Sequence, residues 1–359
     1  MYDVCILGGG AAGLAAAASL DGSLKKCIVE KNEIPGRKLM ATGGGRCNIT
    51  NAACGGKAVT LDFFKSIGIE TYEDGEGRIF PYSNYAPDVV RALEEAALRK
   101  KADIFTGFAV SKAEKSLDGA FIISGDRGSL KSRTVIMAVG GKAAPQMGTT
   151  GDGYIMARKF GHSVSRTYPI LTALECGEFS DIKGVRARGE ASLYRDGERI
   201  ATERGEIQFT ADGISGICVM NLSMYIKADR DEPVKEALKR YRVELDLAPD
   251  FSQEEAEARE SSFGILSQRL AARVPKEIMK AWSLPVKGVK GWRNAQCTAG
   301  GVSLDEVDEN TMESKLVPGL YFAGEILDIQ GPCGGFNLQN AWETAIKAAV
   351  HINERLRAG

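Results

Sequence analysis

Hydrophobic positions along the chain keep two different rhythms. The run Tyr2 to Leu7 is short and apolar, Ala11 to Leu20 is rich in alanine, and Lys26 to Glu30 is a second strand-like run. Residues 1–31 therefore read as one βαβ unit. From Asp88 to Lys101, after Pro87, the apolar positions Val89, Val90, Leu93, Ala96 and Ala97 keep helical spacing and predict a further crossover helix. Strands are expected near 104–110, 119–124 and 133–138, then a glycine-rich turn and a helix over about 152–160. From about 167 to 248 the pattern changes to short alternating runs such as Ala191 to Tyr194 and Glu206 to Phe209, separated by Asp-Gly and Gly turns. Alternation with such turns predicts antiparallel β structure. Ser252 to Arg273 predicts a charged helix with Phe263, Leu266 and Leu270 as its apolar face. A last helix over about 338–357 carries Trp342, Ile346, Ala349, Ile352 and Leu356 on one stripe, which predicts packing back on the first sheet.

The two ends of the chain thus look like halves of one α/β domain with the middle inserted. The expected boundaries are 1–166 for the first part of that domain, 167–250 for the inserted β-rich domain, 251–291 for a short helical subdomain and return, and 292–359 for the closing part.

Composition narrows the function classes. The 46 basic and 47 acidic side chains leave a net charge of −1, which supplies neither a basic stripe for nucleic acid nor a polybasic membrane anchor, so the expected partner is a small molecule. The oligomeric state has no signature here. Eight cysteines show no CxxC pair and no zinc spacing, and Cys5 and Cys27 fall inside the buried strands, so no metal site is expected and most thiols are packed core groups. The first strand begins at Tyr2, and no apolar run reaches the roughly 18–20 residues of a membrane span, which makes the cytoplasm the expected location. Glycine is the outlier, clustered at 8–13, 36–45, 140–153 and 331–335. Clustered glycine marks backbone that something approaches closely.

Gly8-Gly9-Gly10-Ala11-Ala12-Gly13 matches GxGxxG directly after a strand and at the opening of a helix. Gly8 allows the tight turn, Gly10 lets a pyrophosphate reach the backbone, and Gly13 lets helix and strand pack closely; the helix start offers unpaired N–H groups and positive potential. Glu30 ends the second strand, where a carboxylate meets the adenosine ribose hydroxyls. That fingerprint fits NAD or FAD. The other end of the chain favours FAD: Gly319 to Glu325 reads as a buried strand running into small residues and a carboxylate suited to a ribityl chain, and Gly331 to Gly335 opens the last helix, whose N-terminus can face the flavin N1–C2=O edge.

The stretch Gly36 to Asn51 (GRKLMATGGGRCNITN), the run from Ala138 to Tyr154, Thr298 to Val302, and Gly319 to Ala341 together resemble the BaiN-like (YhiN-like) bacterial flavoproteins, over nearly the whole chain. The resemblance implies a Rossmann-like FAD-binding domain of the two-dinucleotide-binding type, an inserted β-rich domain and a short helical part. It implies an NAD(P)/FAD-dependent oxidoreductase; enone reduction and amine oxidation have both been proposed among relatives. Carried onto this chain, it implies that Gly8, Gly10, Ala12 and Gly13 contact pyrophosphate, Glu30 and Lys31 the adenosine half, and Arg37 and Lys38 the phosphates or ribose. The loop Gly43, Gly44, Gly45, Arg46, Cys47 and Asn48 lies against the flavin and its phosphates. The resemblance likewise implies that Val110 presents a backbone clamp to adenine and that Gly140, Glu325, Asp328, Phe336, Asn337 and Leu338 complete the pocket. Where relatives carry Ser-Tyr-Pro, this chain has Ala143-Ala144-Pro145, so that tyrosine is absent.

No catalytic residue stands out. Cys47 lacks the CxxxxC partner of a flavin disulfide reductase and reads as a packed thiol. Of the two histidines, His162 reads as a helix C-terminal cap and His351 as exposed. No second GxGxxG follows a strand, so NAD(P)H as a transient donor has to bind at the flavin itself. The expected function is hydride transfer between flavin N5 and a small organic substrate, as C=C or C=O reduction. An amine or alcohol oxidase or dehydrogenase, and a flavin-binding sensor or accessory protein without turnover, are the alternatives.

Overall fold

A computed structural model describes residues 1–229 and 232–358. The chain divides into two compact units, one formed by Met1–Thr167 with Cys297–Gly359 and the other by Tyr168–Gln296.

The first unit is built on strands β1 (Tyr2–Leu7), β2 (Lys26–Val29), β3 (Ala102–Phe105), β4 (Val110–Lys115), β5 (Phe121–Gly125), β6 (Gly128–Met137) and β7 (Leu320–Phe322). β3, β2, β1, β6 and β7 lie side by side and parallel, with Leu7 opposite both Val29 and Met137. Val4 to Leu7 are fully buried, as expected of a parallel strand covered on both faces. β6 is long enough to serve two partners on one flank. Its first half pairs antiparallel with β5 and its second half parallel with β7, so the β4–β5 hairpin ends where the C-terminal strand enters.

Helices α1 (Ala11–Ser19), α2 (Ala86–Arg99) and α3 (Phe336–Ala358) cover this sheet. The alanines of α1 make a thin helix, buried from Ala12 to Ala18, and α3 buries Trp342, Ala345, Ala348, Ala349 and Ile352. Strands β1, β2, β6 and β7 all point their C-terminal ends the same way, into Gly8, Glu30, Ala138 and Ala323. In open α/β sheets that is where ligands bind. A small antiparallel sheet of Thr50–Asn51, Arg78–Pro81 and Thr71–Glu73 flanks the main one. Among the described residues no helix is long and apolar enough to cross a membrane.

The second unit holds a seven-stranded antiparallel sheet with its own core, centred on Leu193, Ile207, Phe209, Val243 and Leu245. Its longest hairpin joins Arg186–Arg195 to Glu198–Phe209 through Asp196 and Gly197, both at positive φ (54° and 90°), as a two-residue hairpin turn requires.

Two expected elements differ. The strand expected near 104–110 is the end of β3 and the start of β4, with a break at 106–109. Residues 252–273 form two short helices, Gln253–Glu257 and Gln268–Ala271, rather than a single one. Ser252 and Glu255 cap the first in a reciprocal box. The chain then turns at Gly264 (φ 95°), and Ser262 Oγ donates to Val274 O at 2.6 Å. Leu266 and Leu270 are buried as expected, whereas Phe263 lies in the turn and is exposed.

Candidate cofactor site

The first glycine loop is held by its own close contacts. A methyl group on Gly8 (φ 100°) would stand 2.5 Å from Ala138 O, and one on Gly13 would run into the Gly8 carbonyl. At Gly10 a methyl would meet nothing within 4 Å. Gly8 and Gly13 thus serve the fold, and Gly10 borders open space. The first intrahelical bond of α1 runs from Leu14 N–H to Gly10 O, leaving the preceding N–H groups of the first turn as donors.

Glu30 is buried and fastens this loop. Its Oε2 accepts from Gly9 N–H at 2.7 Å, and its Oε1 accepts from Asn32 N–H and Asn32 Nδ2, at 2.8 and 2.6 Å. Each oxygen of a carboxylate has lone-pair capacity beyond one bond, so a hydroxyl can still be received. Lys31 is paired away, with Asp152 at 2.9 Å and Thr150 at 2.7 Å. Burial opposes the Asp152 charge, but Thr150 and Lys31 outweigh it and hold that carboxyl below its usual range. Arg37 is exposed and donates to Asn32 Oδ1 at 3.1 Å. Val110 opens β4 opposite Gly125, and the segment before it is tied to the end of β2 by Phe108 N–H donating to Glu30 O at 2.9 Å.

Gly36 N–H donates to Gly9 O, which brings the next loop alongside the first. Lys38 follows, with its Nζ 2.6 Å from Glu325 Oε2. Burial works against the Lys38 charge; the Glu325 carboxylate more than offsets it and raises the ammonium pKa. Glu325 Oε1 accepts from Thr298 N–H at 2.9 Å, and Thr298 Oγ1 accepts from the N–H groups of Lys142 and Ala143, next to Gly140 and Gly141. Gly324 lies over α1, where a methyl would stand 2.9 Å from Ala12 Cβ. Tyr154, buried beside this group, has its hydroxyl pKa raised by burial, then by Glu325 and Asp328.

Gly43, Gly44 and Gly45 all have positive φ (57°, 67° and 87°), and at Gly44 and Gly45 an added methyl would meet nothing within 4 Å. Gly45 O accepts from Ala86 N–H at the start of α2. Arg46 is exposed, its guanidinium 4.5 Å from the Phe80 ring centroid and its Nε donating to Gly43 O at 3.3 Å. Cys47 turns inward. It is fully buried, and burial pushes its thiol up to about 12 despite a counteracting bond to Thr42. Only its backbone belongs to the loop.

The GRCNITN stretch packs on the start of α3. Asn51 Nδ2 donates to Gly334 O at 2.9 Å, Thr50 Oγ1 donates to Gln339 Oε1 at 2.6 Å, and Trp342 Nε1 donates to Ile49 O at 2.9 Å. Asn337 braces its own loop, exchanging bonds with Gly331 through N–H to Oδ1 and Nδ2 to carbonyl. The first intrahelical bond of α3 is Gln339 N–H to Gly335 O, so the N–H groups of Phe336, Asn337 and Leu338 form an unpaired first turn. Asp328 is anchored by its backbone, N–H to Val302 O.

The predicted residues from both chain ends therefore meet, except that the Cys47 side chain faces the core and Lys31 and Arg37 are engaged with Asp152, Thr150 and Asn32. Sequence reasoning passed over Asn32, Thr298, Gln339 and Gln330, whose Oε1 is buried without a partner. Thr298 lies in a motif that sequence did single out, and its role appears only where it meets residues 142 and 143. His162 caps its helix as expected, its N–H donating to Ala157 O at 3.1 Å after Gly161, whereas His351 is half-buried rather than exposed. His162 is buried, with Nδ1 3.1 Å from Glu306 Oε2 and Nε2 2.8 Å from Ser314 Oγ, and His351 Nδ1 is 2.9 Å from the Tyr321 hydroxyl. Neither touches the glycine loops. No group of three or more metal-ligating side chains exists among the described residues.

What this arrangement can hold follows from its donors. Two helix N-termini, three open glycines and basic side chains suit phosphates and carbonyl edges. Two buried amide oxygens, Asn48 Oδ1 and Gln330 Oε1, have no partner among the described residues, and Asn48 lies in the glycine loop. These features fit FAD, which offers phosphates, hydroxyls and a ring edge carrying both acceptors and a donor.

A family model described as HI0933-like protein Rossmann domain matches residues 56–351. Over 99% of this chain and 100% of the relative, the sequence is 34% identical to a 3-dehydro-bile acid delta(4,6)-reductase of Clostridium scindens. It is 28% identical to a ribosomal RNA dihydrouridine synthase of Haemophilus influenzae, over 98% of each chain. Among solved structures, the 3-ketosteroid-delta4-(5alpha)-dehydrogenase of Rhodococcus jostii, in complex with 4-androstene-3,17-dione, matches with a TM-score of 0.54 and 14% identity, over 98% of this chain and 96% of that one. That likeness is one of fold.

Proposed function

The chain belongs to the HI0933-like Rossmann-domain family and is a flavin-dependent oxidoreductase, and within that class we propose that it reduces a carbon–carbon double bond conjugated with a carbonyl group on a small molecule. The support is the convergence of the open glycines Gly10, Gly44 and Gly45 with the first turns of α1 and α3, beside an unpartnered Asn48 amide. The names of the two relatives given above describe adding hydrogen to an unsaturated system, a 3-dehydro-bile acid in one and a uridine of ribosomal RNA in the other. The balanced charge of this chain favours a small substrate over RNA.

Gly10 and the first turn of α1 at Ala12 would hold the pyrophosphate, in a loop that Gly8 and Gly13 shape, Glu30 would hold the adenosine ribose, and Lys38 with Glu325 the ribityl side. When bound, FAD supplies hydride chemistry at its N5. The protein orients and surrounds it: the α3 first turn stabilises negative charge on the ring edge, and Arg46 keeps a cation beside the Gly43–Gly45 loop. NAD(P)H is the proposed donor and would bind at the flavin face, since the chain carries one GxGxxG.

The test is anaerobic photoreduction of the purified protein, followed by mixing with a cyclic conjugated enone or with air. Fast reoxidation by the enone, with the saturated ketone as product, and slow reoxidation by oxygen are expected. Rapid oxygen consumption without enone turnover would establish an oxidase instead.

A further inference from the structure

Asn48, in the glycine loop, and Asn51, in the short strand that follows it, stand three positions apart and are used differently. The Asn51 amide is engaged at both atoms: Nδ2 donates to Gly334 O, and Oδ1 accepts from Ala53 N–H at 3.0 Å. Asn48 is only 8% exposed, yet its Oδ1 is buried with no hydrogen-bond partner. Buried amides are almost always bonded, because an unbonded one forfeits its hydration without return. Its surroundings are two glycine loops. A methyl on Gly43 would stand 3.0 Å from Asn48 N, and one on Gly335 would stand 2.9 Å from Asn48 Oδ1. Both glycines have positive φ (57° and 103°); Gly335 brings backbone without a side chain against the amide oxygen, and Gly43 brings it against the Asn48 backbone nitrogen.

We propose that Asn48 recognises the imide edge of the flavin, its carboxamide accepting from N3–H and donating to an adjoining ring carbonyl. This rests on the FAD reading above and assigns one residue within it. The assignment follows from which parts of FAD can satisfy a buried acceptor. Phosphates carry no proton at neutral pH, so they would leave Oδ1 unbonded. Adenine and its ribose belong at the end of β2, where Glu30 stands. Asn48 instead adjoins Gly335, the residue that opens α3, and the free N–H groups of that first turn suit a ring carbonyl. An acceptor beside free donors complements the carbonyl, N–H, carbonyl sequence of an imide. Turning the Asn48 amide over exchanges its oxygen and nitrogen but still leaves one donor and one acceptor.

The experiment titrates apoprotein with FAD and with 3-methyl-FAD, which lacks the N3 proton, following flavin fluorescence. Wild-type protein should bind the methylated cofactor roughly tenfold to a hundredfold more weakly, the effect of leaving a buried acceptor unsatisfied. Asn48→Ala should bind both cofactors alike, and Asn48→Asp, which keeps the shape and the acceptor, should retain the discrimination. Equal binding of both cofactors by wild type, or an undiminished penalty in Asn48→Ala, overturns the assignment while leaving FAD binding intact. If Asn48→Ala does not fold, by far-ultraviolet circular dichroism, loss of discrimination in Asn48→Asp overturns it in the same way. Wild-type protein that binds neither cofactor overturns the FAD reading itself and this assignment with it.

Discussion

Lys38 and Glu325 are 287 positions apart in sequence and meet at 2.6 Å. Their ion pair closes the first and last segments of the nucleotide-binding unit over one another, and Thr298 N–H holds the second oxygen of Glu325 so that the carboxylate keeps its direction.

Glu325→Gln leaves that Thr298 contact possible and removes the charge, so the protein should lose on the order of 1–3 kcal/mol, between an exposed pair and a buried one. Because the Lys38 pKa is raised in the folded state, the pair's contribution is full below the ordinary lysine value near 10.4 and is lost as pH rises through the raised value. Thermal melts of both proteins at pH 8 and pH 11 check this. The difference between them should shrink at the higher pH; a constant or growing difference would contradict the ion-pair account.

Gly10 and Gly13 should separate binding from folding. Gly13→Ala pushes a methyl into the Gly8 carbonyl and should cost several kcal/mol, in the range of an overpacked core or worse. Gly10→Ala meets only open space and should fold normally, with near-wild-type circular dichroism, yet bind FAD at least about tenfold more weakly because the methyl occupies the phosphate approach. Equal FAD affinity in Gly10→Ala and wild type would show that the pyrophosphate lies elsewhere.

These two glycines show how far the sequence could be read. GxGxxG after a strand specified a turn, a helix start and a close packing contact, all within six residues, and the local physics needs nothing from elsewhere. The parallel sheet was legible for the same reason, from unbroken apolar runs. What could not be read were contacts across the chain. His162 reads as a helix cap because Gly161 precedes it, and its backbone N–H does cap the helix at Ala157 O, but the partners of its ring, Glu306 and Ser314, lie 144 and 152 positions away. Cys47 reads as adjacent to a cofactor because it stands in the glycine loop, and the direction of its side chain follows from a positive φ of 61° that sequence did not announce. The charged stretch 252–273 kept helical spacing, and the turn at Gly264, with Ser262 bonded to Val274 O, interrupted it.

Cys47 should be inert. With its thiol buried and pushed up to about 12, almost none is thiolate at pH 8, so Ellman's reagent should label the half-buried Cys54 and Cys333 well before Cys47 in the native protein. Peptide mapping after brief labelling reads this directly. Early modification of Cys47 would restore a redox role for it.

His162 should make the protein acid-sensitive. Burial lowers its pKa, and the nearby Glu306 only partly opposes this, so the folded state holds the neutral imidazole. The unfolded chain takes up the proton first, near pH 6.5, and stability should therefore fall as pH drops below that value. His162→Asn removes this titration and should flatten the melting-temperature profile between about pH 6.5 and 5, at some cost in stability at pH 8. An unchanged slope in the variant would mean that the acid sensitivity resides in other groups.

The central claim is that loops from both ends of the chain form one cradle for FAD. Calorimetric titration of apoprotein with FAD, FMN and NAD tests it most directly. One FAD per chain should bind tightly, FMN should bind more weakly for want of the adenosine contacts at Gly10 and Glu30, and NAD should not compete at equal concentration. Protein that binds no FAD, or that takes FMN as well as FAD, would contradict the account.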